Sequence, residues 1–307
     1  MQWFKKTKKA DAMRIIDKFR SRFNHIFVLQ MGRIREIWFK GVGERDFYLQ
    51  SRIDLDRPLE LELVYARMMM SALLLRPQPK RMLMIGLGAA AATNFLHERF
   101  PEAEIDVVEI DRSVRDAARK YFYLQEDERY RVHVMDGRVF IKERLGKPSY
   151  DIIFLDAFKS GSVPFHLKTV EFYRELKSLL TPGGVVVSNL YGKSNALKPN
   201  DCKSFLKVFR HVYCFEDDDQ VATVSLACDH DYEWGLSDFR VEAMRQEASF
   251  HFSMETIADY YRPGKFKEGR GSREFKDDFS GGQFLQAVEH NNSNETAHRP
   301  YPIKNTE

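Results

Sequence analysis

Hydrophobic patterning divides the chain into stretches of different character. Between residues 25 and 50, "HIFVLQ" and "RIREIWFK" flank Met31-Gly32, and "DFYLQS" follows the turn "GVGE". Short alternating runs bounded by turn residues predict strands. Residues 58–75, "PLELELVYARMMMSALLL", place apolar residues at helical spacing among helix formers and predict a helix. The triple methionine Met68 to Met70 reads as core packing, because no His or Cys accompanies it to make a metal site.

From residue 81 the pattern becomes strand–helix alternation. Strands read at "RMLMIG", "EIDVVEI", "RVHVMD", "YDIIFLD" and "GVVVSNL", with amphipathic helices at about 89–99, 112–123, 137–145 and 167–180. Such alternation argues for a parallel sheet with helices on both faces. After a helix at 200–209 come two further strands, "HVYCFE" and "QVATVSLAC", joined by a hairpin-length acidic turn at 217–220. The tail from about 263 is poor in apolar residues and reads as a mostly flexible extension with one docked helix around 282–289. At the other end, eight Lys and Arg in the first 22 residues, with Met13, Ile16 and Phe19 three apart, predict a basic amphipathic helix. The expected organisation is therefore a basic helix (1–22), a small β-rich region (23–57), an α/β domain (58–262) and the tail (263–307).

Composition narrows the class. The 307 residues are 43% hydrophobic and 30% charged, as in a globular chain with a sizeable core, and a net charge of +3 is too small to argue for a nucleic-acid partner. The uncharged run 82–96, "MLMIGLGAAAATNFL", is too short and glycine-interrupted to span a bilayer, so no membrane partner is expected. The three cysteines, Cys202, Cys214 and Cys228, have no metal or disulfide spacing and read as reduced thiols in a cytoplasmic protein.

The same uncharged run carries the chemistry. A first strand ends at Gly86, and Gly88 and then Ala91 follow at the spacing of a nucleotide-binding turn. Such a turn brings backbone close to a ligand and aims free helix N–H groups at it. Glu109 ends the next strand 23 residues after Gly86, where a carboxylate accepts both hydroxyls of a ribose, and Asp111 follows. That much fits a nicotinamide dinucleotide and an adenosyl-sulfonium compound alike. Asp136-Gly137 closing the third strand, the turn "LLTPGGVVV" before the fifth, and the final strand pair favour the second. The expected fold is α/β: a Rossmann-like, methyltransferase-type sheet of seven strands, the last antiparallel, with a small N-terminal β-rich region.

"RMLMIGLGAA", "DVVEID", "RVHVMDGRVFI", "YDIIFLDAF" and the preceding "RIDLDRPLELELVYARMMMSALL" resemble the spermidine synthase family over roughly residues 25–228. The resemblance implies transfer of an aminopropyl group from decarboxylated S-adenosylmethionine to an amine. It implies that Gly86 and Gly88 shape the co-substrate turn, that Glu109, followed by Asp111, holds the ribose, and that Asp136 and Gly137 contact the adenine. Asp156 then occupies the place of the acid that deprotonates the amine, while Gln50 and Tyr65 fall near the family's Gln and Tyr that line the pocket. It also suggests a homodimer through the N-terminal strands.

The chain departs from the family at the amine-gripping acids. Ala89 replaces the aspartate of the glycine motif, Lys159 replaces a second aspartate after Asp156, and Ala66-Arg67 replaces a His-Glu pair. Lysine for aspartate turns attraction of a cation into repulsion, which argues against a diamine in the usual pose. Glu216 to Asp219 offer an acidic rim in compensation. Ala89 keeps open a methyltransferase using intact S-adenosylmethionine, and the lost acids keep open a non-catalytic relative that binds the nucleoside.

Overall fold

The computed structural model describes residues 13–42, 46–158, 163–191, 197–219, 221–265 and 272–293. The alternating N-terminal stretch forms an antiparallel meander of β1 (Arg14–Arg20), β2 (Asn24–Met31), β3 (Ile34–Gly41) and β4 (Tyr48–Asp54). Ile26, Val28, Ile37, Phe39 and Ile53 are buried, so the period-2 pattern becomes one inner face.

Residues 14–20 are a strand and not the end of a basic helix; residues 1–12 lie outside the described residues. The three-residue spacing that suggested a helix comes from a bulge. Ile15 pairs with Leu29 and Asp17 with Val28, leaving Ile16 as the extra residue. Ile16, Asp17 and Phe19 are accordingly half-buried, while Arg14, Ile15, Lys18 and Arg20 are exposed.

The helix expected over 58–75 forms only in its second half, as α1 (Val64–Met69) and α2 (Ala72–Leu75). Side chains hold the first half out of the helix. The Arg67 guanidinium donates to the carbonyls of Leu61 (2.5 Å) and Glu62 (3.4 Å), and the His251 ring accepts from the Leu61 N–H (2.7 Å). Met68, Met69 and Met70 are buried in the core.

The strand–helix alternation then proceeds through β5 (Arg81–Ile85), α3 (Ala91–Arg99), β6 (Glu104–Glu109), α4 (Arg112–Tyr121), β7 (Tyr130–Val134), α5 (Gly137–Lys142), β8 (Tyr150–Leu155), α6 (Val170–Lys177), β9 (Leu180–Asn189), α7 (Lys198–Leu206), β10 (His211–Glu216) and β11 (Thr223–Cys228). The seven strands are ordered β10-β11-β9-β8-β5-β6-β7, with only β11 opposed to the others. Successive residues enter opposite cores: Met82 and Met84 join one cluster, Leu83 and Ile85 the other, and Ile152 and Phe154 are divided in the same way from Ile153 and Leu155. Burial on both faces is why these strands are apolar at nearly every position. The strand order reverses direction between β5 and β8, so the crevice beyond their carboxyl ends is the natural ligand site of such a sheet.

Helices α8 (Leu236–Gln246) and α9 (Met254–Asp259) follow, and the described part of the tail includes α10 (Phe284–Asn292). The helix expected around 282–289 forms as α10, and residues 272–283 before it are docked as well, where their composition suggested a flexible extension. They pack on the body through a Val170 N–H bond to the Phe275 carbonyl (2.8 Å), a Phe275 N–H bond to Ser204 Oγ (2.8 Å), and Arg138, which binds Asp277. These anchors are polar, which is why an apolar pattern does not report them. No helix among the described residues is long and apolar enough to cross a membrane.

Candidate active site

Three backbone constraints shape the crevice. Gly86, directly after β5, has φ 101°, and a Cβ there would lie 2.3 Å from the Asp156 carbonyl oxygen. Gly88 (φ 54°) and Ala90 (φ 58°) continue the turn through the left-handed region, so α3 starts displaced from the strand axis. A Cβ on Gly137 would meet Ile85 Cγ2 at 2.6 Å, so α5 begins hard against the end of β5.

Around them lies a cavity of about 350 Å³, lined by all nine residues singled out from the sequence: Gln50, Tyr65, Gly86, Gly88, Glu109, Asp111, Asp136, Gly137 and Asp156. It follows the carboxyl ends of the strands from Asp136 after β7, past Glu109 and Gly86, to Asp156 after β8 and Asn189 at the end of β9. Strand β4 and residues 61–66 cover it, which is where the extended start of the expected helix is used.

In the β5–β7 half every carboxylate accepts backbone N–H groups, and Asp111 and Asp136 each also meet distant side chains. Glu109 Oε2 accepts the Leu87 N–H (3.1 Å) and Oε1 the Asp111 N–H (2.8 Å). Burial outweighs these bonds and pushes its pKa up to about 7. Asp111 caps α4 by accepting the Ser113 N–H (2.9 Å), and its other oxygen accepts the Ser21 hydroxyl (2.5 Å), tying the N-terminal sheet to the site; burial raises its pKa. Asp136 caps α5 through the Arg138 and Val139 N–H groups (2.8 and 3.1 Å), while its Oδ2 meets His166 Nε2 (2.9 Å) and accepts from Asn292 Nδ2 (2.8 Å). Burial would raise this carboxyl, but the His166 contact and the hydrogen bonds prevail and hold it below the usual range.

In the β8–β9 half side chains hold side chains. Asp156 Oδ1 accepts from Asn189 Nδ2 (2.9 Å), and the Asn189 Oδ1 accepts the Tyr191 N–H (2.9 Å). The Tyr65 hydroxyl donates to the Gln50 carbonyl (2.8 Å) and is also in hydrogen-bonding contact with Asp156. Burial pushes Asp156 up to about 7 and, together with the Asp156 charge, raises Tyr65 well above its ordinary value. Gln50 joins the site through its carbonyl, its amide donating to Tyr48 O (3.2 Å). Tyr191 lines the cavity at φ 63°, its ring 5.9 Å from that of Phe158. A carboxyl titrating near neutrality beside an oriented hydroxyl exchanges protons with a nucleophile placed between them.

The departures read from the sequence separate here. Ala89 is fully buried, Arg67 braces residues 61–62, and Lys159 lies outside the described residues. Three of the four acids of the rim have internal partners: Glu216 pairs with Lys265 and Lys198, Asp217 accepts the Ala222 N–H (2.6 Å), and Asp218 pairs with Arg262 (2.9 Å), while Asp219 is exposed. Two cavity residues escaped sequence reasoning. Asn189 is the last residue of β9, within the run "GVVVSNL", and its place beside Asp156 across β8–β9 was the available signal. Asn292 carries no local signal in "EHNNSNE". Among the described residues, no group of three His, Cys, Asp or Glu is arranged to hold a metal ion.

Comparison with known proteins identifies the family and the fold. Residues 62–227 match the spermine/spermidine synthase domain. A polyamine aminopropyltransferase of Vibrio vulnificus is 42% identical over 153 residues, 50% of this chain and 51% of that protein. The eEF1A lysine and N-terminal methyltransferase of Homo sapiens is 32% identical over 145 residues, 44% of this chain and 21% of that one. The chain thus spans about half the length, or less, of these curated relatives. The fold matches a probable spermidine synthase from Corynebacterium glutamicum with a TM-score of 0.69 at 19% identity, covering 87% of this chain and 98% of that one.

Proposed function

The chain belongs to the spermine/spermidine synthase family, and from that premise we propose that it transfers an aminopropyl group from decarboxylated S-adenosylmethionine to the nitrogen of an amine. The observation that carries this reading is Asp156, buried at the end of β8, bonded to Asn189 and Tyr65, and titrating at about 7. The sulfonium is already a good leaving group, so the protein's task is to align a neutral amine and take its proton. The amine lone pair attacks the aminopropyl carbon bound to sulfur. The carbon–sulfur bond breaks, its electron pair stays on sulfur, and methylthioadenosine departs. Asp156 accepts the proton, and Tyr65 with the Gln50 carbonyl orients the nucleophile. In the β5–β7 half, Glu109 is assigned to the ribose hydroxyls, and the Gly86 and Gly88 turn to the close approach of the nucleoside.

A second reading, methyl transfer from S-adenosylmethionine, is favoured by two observations. Ala89 stands where the family aspartate would hold the aminopropyl ammonium, and a relative at 32% identity is by name a methyltransferase of amine groups. The products separate the two. The protein is incubated with each donor and a panel of primary amines and diamines. Methylthioadenosine from the decarboxylated donor establishes aminopropyl transfer, and S-adenosylhomocysteine from the intact donor establishes methyl transfer. Tight binding of methylthioadenosine with neither product overturns both and leaves a nucleoside-binding relative.

A further inference from the structure

We propose that Asn292, delivered by the C-terminal segment, reads the adenine base of the bound nucleoside. This rests on the adenosyl-ligand reading above but not on which group is transferred.

The inference begins with Asp136. A carboxylate has about four acceptor sites, and here Arg138 N–H and Val139 N–H lie on Oδ1 while His166 and Asn292 lie on Oδ2. The carboxylate assigned to adenine by resemblance is saturated by its own protein. What it presents to the cavity is the Asn292 carboxamide, which also lines the cavity. Donation of one Nδ2–H to Asp136 (2.8 Å) sets which end of the amide is nitrogen. The amide's other N–H and its Oδ1 remain to face a ligand. Adenine offers an amino donor beside a ring-nitrogen acceptor, the complement of a carboxamide, whereas hypoxanthine replaces the amino group by a carbonyl.

Asn292 is held there by the anchorage of its segment. Arg138 is fully buried. It binds Glu175 through Nε and Nη2 (2.7 and 2.8 Å) and Asp277 through Nη1 and Nη2 (2.7 and 2.8 Å). Thr169 donates to the same Asp277 (2.8 Å), and the rings of Phe279 and Phe284 lie 5.5 and 5.6 Å from the guanidinium. Asp277 is thus a positioning residue, and the segment is a built wall of the cavity.

The test is base discrimination. Calorimetric titration with methylthioadenosine and its hypoxanthine counterpart, methylthioinosine, compares the full-length protein with Asn292→Ala and Asp277→Asn. The wild type should prefer adenine by about tenfold or more, as one bidentate amide contact supplies. Asn292→Ala should lose most of that preference, chiefly through weaker adenine binding. Asp277→Asn should lower it in the same direction. A structural role alone would shift both ligands together and leave the ratio intact. An unchanged ratio in both variants overturns the proposal. A wild type that binds neither nucleoside overturns the adenosyl reading, and this inference with it.

Discussion

The two halves of the cavity are built on different principles. Along β5–β7, Glu109, Asp111 and Asp136 are each set by backbone N–H groups: Asp111 and Asp136 by those of the helices they cap, Glu109 by those of Asp111 and of Leu87 in the glycine turn. Along β8–β9, Asp156 is set by Asn189, 33 residues away, and by Tyr65 on another element. Backbone-held carboxylates are fixed as the strands form. Side-chain-held ones depend on packing between distant segments and are free to change with the acceptor.

Gly86 stands where the halves meet, and changing it should have the largest effect. Gly86→Ala places a methyl 2.3 Å from the Asp156 carbonyl at φ 101°. Collision and strain together should cost about 3 kcal/mol or more, read by denaturant unfolding. A variant of wild-type stability would mean that the two strand ends are not rigidly apposed.

Asp156→Asn should separate the halves most cleanly. Turnover should fall by about 10²- to 10⁴-fold, while methylthioadenosine affinity stays within a factor of two or so. Stability should rise. The folded-state pKa of about 7 lies above the ordinary 3.8, so ionising Asp156 costs stability increasingly from about pH 4 to pH 7, and the full cost is present above 7. The gain in melting temperature should therefore be larger at pH 8 than at pH 4. In the wild type, turnover should climb with pH through about 7 and then level. A flat profile would remove Asp156 as the base.

Glu109→Gln probes the other half. A neutral amide lacks the charge that two backbone N–H groups and a ribose diol would share, so methylthioadenosine affinity should fall about 10- to 100-fold. Turnover at saturating donor should change little. Tyr65→Phe should have the smallest effect, about fivefold in turnover, as the hydroxyl's contacts with the Gln50 carbonyl and Asp156 are lost while the ring stays in place. Equal losses from Glu109→Gln in affinity and turnover would erase the distinction between the halves.

The division also governs what the sequence made legible. Glycine spacing, strand-end acids and apolar runs are local, so the seven-strand sheet and the residues of the β5–β7 half could be read directly. The bulge at Ile16 turned an alternating pattern into a three-residue one and hid β1. Asn189, Asn292 and the Arg138–Asp277 pair depend on partners 33, 156 and 139 residues distant, and polar contacts of that range have no periodicity to betray them.

The Arg138 cluster has a consequence for the order in which the molecule is made. Arg138 and Lys142 carry two positive charges, Glu175 and Asp277 two negative ones, and all four meet. A nascent chain that has emerged only as far as β11 carries one unbalanced positive charge among these residues. That surplus attracts Asp277 when it arrives, and docking it brings Asn292 to the cavity. The wall at Asp136 is thus the last part of the site to be synthesised.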